Sequence, residues 1–339
     1  MQMILKSRLL MLVISALLIA CSPPKNQETH ITGPTMGTTY NVKFVPVVGV
    51  DKETLKQQIE QSLIDINLLM STYIENSELS RFNQWSSVEP FPMSARTLQV
   101  LNEAKRLGNM SDGLLDVTVG PLVNLWGFGP QSRPVKMPSD ELIKMTRQQV
   151  GLNKLTLGPS WASKTEPTLY VDLSTIAKGF AVDQLAELLG THEITNYLVE
   201  IGGEMRLSGL KASGTPWKIA IEKPETDQRS VQKIISIGTN AVATSGDYRN
   251  YYETDGVRYS HLINPNTGYP ISHNLVSVTV IHPSSMTADG LATALNVMGK
   301  EKALELAETF NIAVLLITKE KDGFNEYTSV KFEQLVTVH

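Results

Sequence analysis

"LVSVTVIHPSSMTADGLATALNVMG", residues 275–299, sets a strand directly against a helix. Its first seven residues are mostly β-branched, and Ser277 and Thr279 alternate with Val278 and Val280, the period of a strand. Residues 286–299 are small and apolar, the body of a packed helix. Working outward, the sequence predicts further strands at 40–45, 197–201, 217–221, 234–237 and 312–317, several following one another with no helix between them. Amphipathic helices are predicted over 51–70, where Leu55, Ile59, Leu63, Ile66 and Met70 share a face behind Asp51, and over 94–107, 139–150 and 300–310. Helices and strands are therefore partly segregated. That favours an α+β fold, a mixed and largely antiparallel sheet with packed helices, over a doubly wound parallel sheet.

Two polar residues interrupt the helix at 286–299. Asp289 and Thr293 lie four residues apart, which places both oxygens on one face a turn apart. A carboxylate and a hydroxyl are hard oxygen donors that suit Mg²⁺. A buried Asp–Thr hydrogen bond without metal satisfies the same spacing.

A second segment, "YVDLSTIAKGFAVDQLAELL" at 170–189, reads as a short strand ending at Asp172, a capping Ser174 and an amphipathic helix. Free N–H groups and the positive dipole end of such a helix can seat a phosphate. Lys178 is expected in its second turn between Ala177 and Gly179, either facing a ligand or snorkelling into solvent. A third segment, "YSHLINPNTGYPISH" at 259–273, ends a strand at His261 and turns at Asn264-Pro265-Asn266-Thr267-Gly268. His261 is either structural or a proton acceptor working near neutral pH.

The chain carries 30 Lys and Arg against 34 Asp and Glu and shows no basic run, which argues against nucleic acid as a partner. GxxxxGK[ST], a strand-borne GxGxxG, HExxH and GxSxG are all missing. An acidic protein that handles a polyanion needs a metal or a few aimed cations. The first 20 residues read as a signal peptide, with Lys6 and Arg8 ahead of an uncharged run too short to span a bilayer. The run ends Leu18-Ile19-Ala20-Cys21, which resembles a lipobox and marks Cys21 for lipidation. Cys21 is the sole cysteine, so there is no disulfide framework and no catalytic thiol. Residues 21–32 are expected to form a lipidated tether, and 33–339 a single domain.

These segments together resemble the ApbE family, the FAD:protein FMN transferases. The likeness rests on "GPTMGTTY" (33–40), "LMSTY" (69–73), "DGLLDVTVGPLVNLWGFGP" (112–130), "VDLSTIAKGFAVD" (171–183), "EIGGEMRLSG" (200–209), "ATSGDYRNYY" (243–252), "SHLINPNTGYP" (260–270) and "TADGLATAL" (287–295). Eight motifs in order over nearly the whole chain make it specific.

The resemblance implies an α+β domain that holds FAD in an elongated cleft. There the pyrophosphate is split, FMN moves to a Thr or Ser hydroxyl of an acceptor protein, and AMP leaves. Carried over by motif, Asp289 and Thr293 become side-chain ligands of Mg²⁺, with the Thr175 carbonyl a third. Asp172 and Lys178 would contact FAD. Met36, Tyr73, Leu114, Leu115 and Asp116 would line its flavin and adenosine pockets, with Ile263 a backbone contact. His261 would take the proton of the acceptor hydroxyl. Asn264 stands where many relatives have Asp, and no role is assigned to it. The family further implies acceptors among flavin-carrying subunits of membrane redox complexes, and a bacterial lipoprotein facing the periplasm. The same site could serve an FAD pyrophosphatase, with water in place of the acceptor. A non-catalytic FAD-binding lipoprotein would have little need of the Asp289/Thr293 pair.

Overall fold

In a computed structural model, the structure describes residues 27–129, 137–225, 230–247, 250–254 and 257–339. The expected leader and Cys21 lie outside the described residues. Among those described, eight strands form one sheet in which every neighbouring pair is antiparallel. In chain order they are β1 (Thr29–Thr35), β2 (Thr38–Phe44), β3 (Tyr197–Ile201), β4 (Glu204–Ser208), β5 (Ala241–Gly246), β6 (Leu275–His282), β7 (Ala313–Glu320) and β8 (Gly323–Thr328). Spatial order repeats chain order, so each strand lies beside its predecessor even where long insertions separate them. This is the largely antiparallel α+β architecture that the strand runs predicted.

Strand β1 corrects the expected tether boundary. It begins at Thr29 and pairs residue for residue with β2, from Thr29 opposite Phe44 to Thr35 opposite Thr38. Residues 29–32 are polar in sequence, yet buried Ile31 anchors them to the core and the backbone pairs with β2. Sheet structure therefore starts four residues before the expected domain boundary at 33.

Five longer helices cover the sheet: α1 (Lys52–Met70), α2 (Ala95–Met110), α3 (Ala177–Thr191), α4 (Ser285–Met298) and α5 (Lys300–Thr309). Leu55, Ile59, Leu63, Ile66 and Met70 are buried on α1 as their spacing required, and Asp51 accepts from the Thr54 N–H at the cap. The main core joins these helices to Val42, Val199, Val278, Val280 and Val314 on one face of the sheet. A second core covers the other face, where Val242, Val276, Ile281, Leu315 and Ile317 meet Trp217, Ile219, Ile221 and Ile235. Burial on both faces explains why β6, whose alternation suggests one wet face, is buried along nearly its full length. Its polar Thr279 is satisfied by the Thr244 hydroxyl at 2.9 Å.

Helices α3 and α4 clasp each other's N-termini. Asp183 on α3 accepts from the Ser285 and Met286 N–H groups and from the Ser284 hydroxyl at the start of α4. In return, Asp289 on α4 accepts from the Gly179 N–H in the first turn of α3. Gly179 permits this approach: a Cβ there would stand 2.3 Å from the Ser285 carbonyl oxygen. Outside the main sheet, Tyr251–Thr254 and Val257–Ser260 form a separate two-stranded hairpin ending next to His261.

Candidate active site

The mutual capping of α3 and α4 opens onto a cavity of about 360 Å³, within the size range of small-molecule sites. From α4 it receives Asp289 and Thr293, from the start of α3 Lys178, and from the turn before it Asp172 and Thr175. Strands β4 and β5 supply Glu204, Thr244 and Ser245. Tyr73, Leu114, Leu115, Asp116, His261 and Ile263 complete the wall among the sequence-predicted residues. Met36 lines an adjoining groove of about 140 Å³ that shares Tyr73, Asp172 and Lys178 with the cavity. Every site residue predicted within the described part of the chain lines one or the other.

The approach to α3 differs in detail from its sequence reading. Residues 170–172 are not a strand, and Ser174 does not cap the helix. Instead the Asp172 carboxylate accepts from the Ser174 N–H at 2.9 Å, fixing a tight turn, and α3 starts behind Ile176 with no side-chain cap. Lys178 is accordingly in the first turn, not the second. The Gly179 N–H, one of the donors expected to be free for phosphate, is engaged by Asp289 at 2.9 Å. Lys178 does not snorkel into solvent. Its Nζ lies 2.6 Å from Glu204 Oε1.

Two acidic groups share one cation in this corner. Asp289 and Glu204 are both buried, and Lys178 is the cation between them. Burial first, and the Glu204 charge second, push the Asp289 carboxyl up to about 8 against the opposing pull of Lys178. Burial also raises Glu204, with Lys178 opposing. For Lys178 burial acts downward, but Glu204, Asp289 and Glu200 outweigh it and hold the ammonium charged. Near neutral pH the Asp289 carboxyl thus keeps its proton, which a bound cation would displace.

The donors suit a hard divalent cation. Asp289 offers a carboxylate, Thr293 a hydroxyl, and Thr175 a turn carbonyl whose usual helical donor, the Gly179 N–H, is already engaged. Among the described residues Thr175 Oγ1 and Glu204 Oε2 are buried without hydrogen-bond partners, the unsatisfied oxygens that a bound cation with its waters would complete. Among the described residues no group of three or more His, Cys, Asp or Glu side chains could hold a metal. An ion here would therefore rest on few protein ligands, which is how Mg²⁺ is commonly held beside substrate phosphates.

His261 stands across the cavity. Its Nδ1 is 3.0 Å from the Asn250 carbonyl, which can only accept, so Nδ1 carries the proton and Nε2 presents a lone pair. Burial lowers its basicity, partly offset by the Asn250 carbonyl, and the ring is neutral near pH 7. The ring of Phe128 packs on it edge-on at 6.3 Å. Asp116, by contrast, spends its carboxylate on the fold, accepting from the Thr118 N–H and hydroxyl at 2.7 and 2.6 Å.

Sequence reading missed Glu204, Asn250 and Phe128. Glu204 had a signal, a charged residue that opens a strand directly after Gly202-Gly203. Asn250 had none, because it acts through a backbone carbonyl that any residue carries.

The ApbE family model matches residues 36–316. A Vibrio cholerae relative named FAD:protein FMN transferase is 56% identical over 322 residues, covering 95% of this chain and 96% of its own. An Escherichia coli K12 relative of the same name is 41% identical, covering 97% of each. Among solved structures, the flavin transferase ApbE of Vibrio cholerae superposes with a TM-score of 0.85 at 55% identity, over 91% of this chain and 99% of that one. The apo flavinyl transferase ApbE of Pseudomonas stutzeri gives 0.85 at 41% identity, over 91% and 96%.

Proposed function

This chain belongs to the ApbE family and is a flavin transferase, and from that premise we propose how its residues move FMN from FAD to a protein hydroxyl. FAD lies along the cleft with its pyrophosphate beside Asp289, Thr293 and Lys178. The acceptor is a Thr or Ser hydroxyl brought to the face that His261 presents. Its oxygen bonds to the FMN phosphorus, the bridging P–O bond breaks, and AMP departs with the bridging oxygen and the bond's electron pair. His261 Nε2 takes the hydroxyl proton as that bond forms. Asp289, Thr293 and the Thr175 carbonyl would hold Mg²⁺, which would supply positive charge to offset the negative charge of the pyrophosphate and of the leaving phosphate. Lys178, held charged by Glu204, adds a fixed cation on the same side.

The observation that carries this reading is the pairing in one cavity of a neutral His261, its Nε2 lone pair free of the Asn250 bond, with an oxygen-donor corner where Thr175 Oγ1 and Glu204 Oε2 lack partners among the described residues. Lipidation at Cys21 would anchor the chain to a bacterial membrane facing the periplasm. That placement suits acceptors among flavin-carrying subunits of membrane redox complexes.

The test incubates the chain with FAD, Mg²⁺ and a soluble acceptor domain bearing a modifiable threonine, then reads intact mass and AMP. An FMN-sized mass gain on the acceptor, matched by AMP and lost in EDTA, is expected. Free FMN and AMP with an unmodified acceptor would instead mark a pyrophosphatase, and intact bound FAD a binder.

A further inference from the structure

Among the described residues, His261 hangs from a hairpin that belongs to no larger sheet. There Tyr251–Thr254 and Val257–Ser260 pair with each other alone, and two-stranded ribbons are marginal by themselves. At its base the Asn250 carbonyl accepts both the backbone N–H and the Nδ1–H of His261, at 3.2 and 3.0 Å. The direction of Nε2 therefore follows the hairpin.

Each face of the hairpin has its own tie. On one, Tyr259 stacks on Trp126 at 5.6 Å and on Tyr252 at 5.3 Å. On the other, the Arg258 guanidinium lies 4.2 Å over the Tyr251 ring and donates through Nη2 to the Asp247 carbonyl at 2.8 Å. Asp247 directly follows β5, whose Thr244 and Ser245 line the cavity, and its own N–H bonds the Val276 carbonyl of β6.

The Arg258–Asp247 ion pair is a poor stabiliser by itself. Asp247 is buried, its Oδ1 stands 3.4 Å from Nη2, and among the described residues both that oxygen and Arg258 Nε lack hydrogen-bond partners. A buried pair so loosely satisfied recovers little of its desolvation cost. What it does achieve is mechanical: it fastens the strand leading into His261 to the strand that walls the cavity.

Resting on the transferase reading, we propose that Arg258 is a positioning residue, bracing the hairpin against Asp247 so that His261 Nε2 meets the acceptor hydroxyl. Displacing a base by about 1 Å can cost on the order of 10²-fold in rate. The experiment uses the full chain with substitutions Arg258→Ala, Arg258→Lys and His261→Ala, and the double variant of Arg258→Ala with His261→Ala. FMN transfer to a soluble acceptor domain is timed, and FAD affinity is titrated by flavin fluorescence. A wild-type chain that transfers no FMN would defeat the transferase reading before this one is reached. Given transfer, Arg258→Ala is expected to lower kcat by roughly 10- to 10²-fold with FAD affinity unchanged, and Arg258→Lys to recover part of it. In the His261→Ala background the Arg258→Ala loss should vanish, since a brace matters only through what it braces. An equal loss in that background, a loss tracking weakened FAD binding, or no loss at all would overturn the proposal.

Discussion

Asp289 Oδ2 accepts the Gly179 N–H at 2.9 Å, and this one bond joins the fold to the candidate chemistry. It ties α4 to the first turn of α3 and fixes the carboxylate at the cavity wall. It also occupies the donor that a longer helix would give to the Thr175 carbonyl.

Asp289→Ala is expected to abolish FMN transfer, because the cation corner loses its carboxylate ligand, and EDTA should do the same to the wild type. Asp289→Asn keeps an acceptor for Gly179 and should fold normally while remaining inactive. Intact-mass assays beside circular dichroism check this. Full activity in Asp289→Asn would remove the carboxylate from the mechanism.

Gly179→Ala would place a Cβ 2.3 Å from the Ser285 carbonyl oxygen and 2.8 Å from Asp289 Cβ. Neither the backbone oxygen nor the helix behind it can yield cheaply, so a loss of about 1–3 kcal/mol is expected. Urea unfolding of the two proteins measures it, and an unchanged midpoint would show that α3 and α4 can slide apart.

His261 titrates below its ordinary 6.5 because burial disfavours the charged ring. Transfer should therefore hold from neutral pH down to below 6.5, then fall as the ring gains its proton. Stability carries the same sign. With the folded value depressed, His261's contribution is present above 6.5 and lost as pH drops through the folded value. His261→Ala should lose roughly 10²–10⁴-fold in transfer with FAD binding intact. A pH–rate profile and a fluorescence titration check both.

Lys164 is buried with no carboxylate partner among the described residues, its Nζ donating to the Asn83 and Pro167 carbonyls at 3.0 and 3.1 Å. Burial pulls it down from 10.5 to about 8. Its contribution to stability is thus present above 10.5 and lost as pH falls towards 8, where the buried amine must charge. Denaturation midpoints across pH 8 to 10 should show that slope in the wild type and not in Lys164→Met.

The sequence by itself determined most of the elements and picked out the residues that line the candidate site. Period-2 runs such as 197–201 and helix faces such as Leu55 to Met70 are local patterns, and local sterics and burial write them into the chain. Asp289 and Thr293 were legible because they break an apolar helix at a spacing that helical geometry makes adjacent. Only the tertiary structure decided how those parts pair. That Ile31 pulls polar residues 29–32 into the sheet depends on β2 lying beside them. That Glu204 pairs with Lys178, that Asp289 rather than a ligand takes the Gly179 N–H, and that Asn250 sets the tautomer of His261 are contacts between segments far apart in sequence or made through backbone groups. Backbone N–H and C=O are common to nearly every residue, so their partners leave no mark in the side-chain pattern. They follow from where the packed helices and strands come to rest.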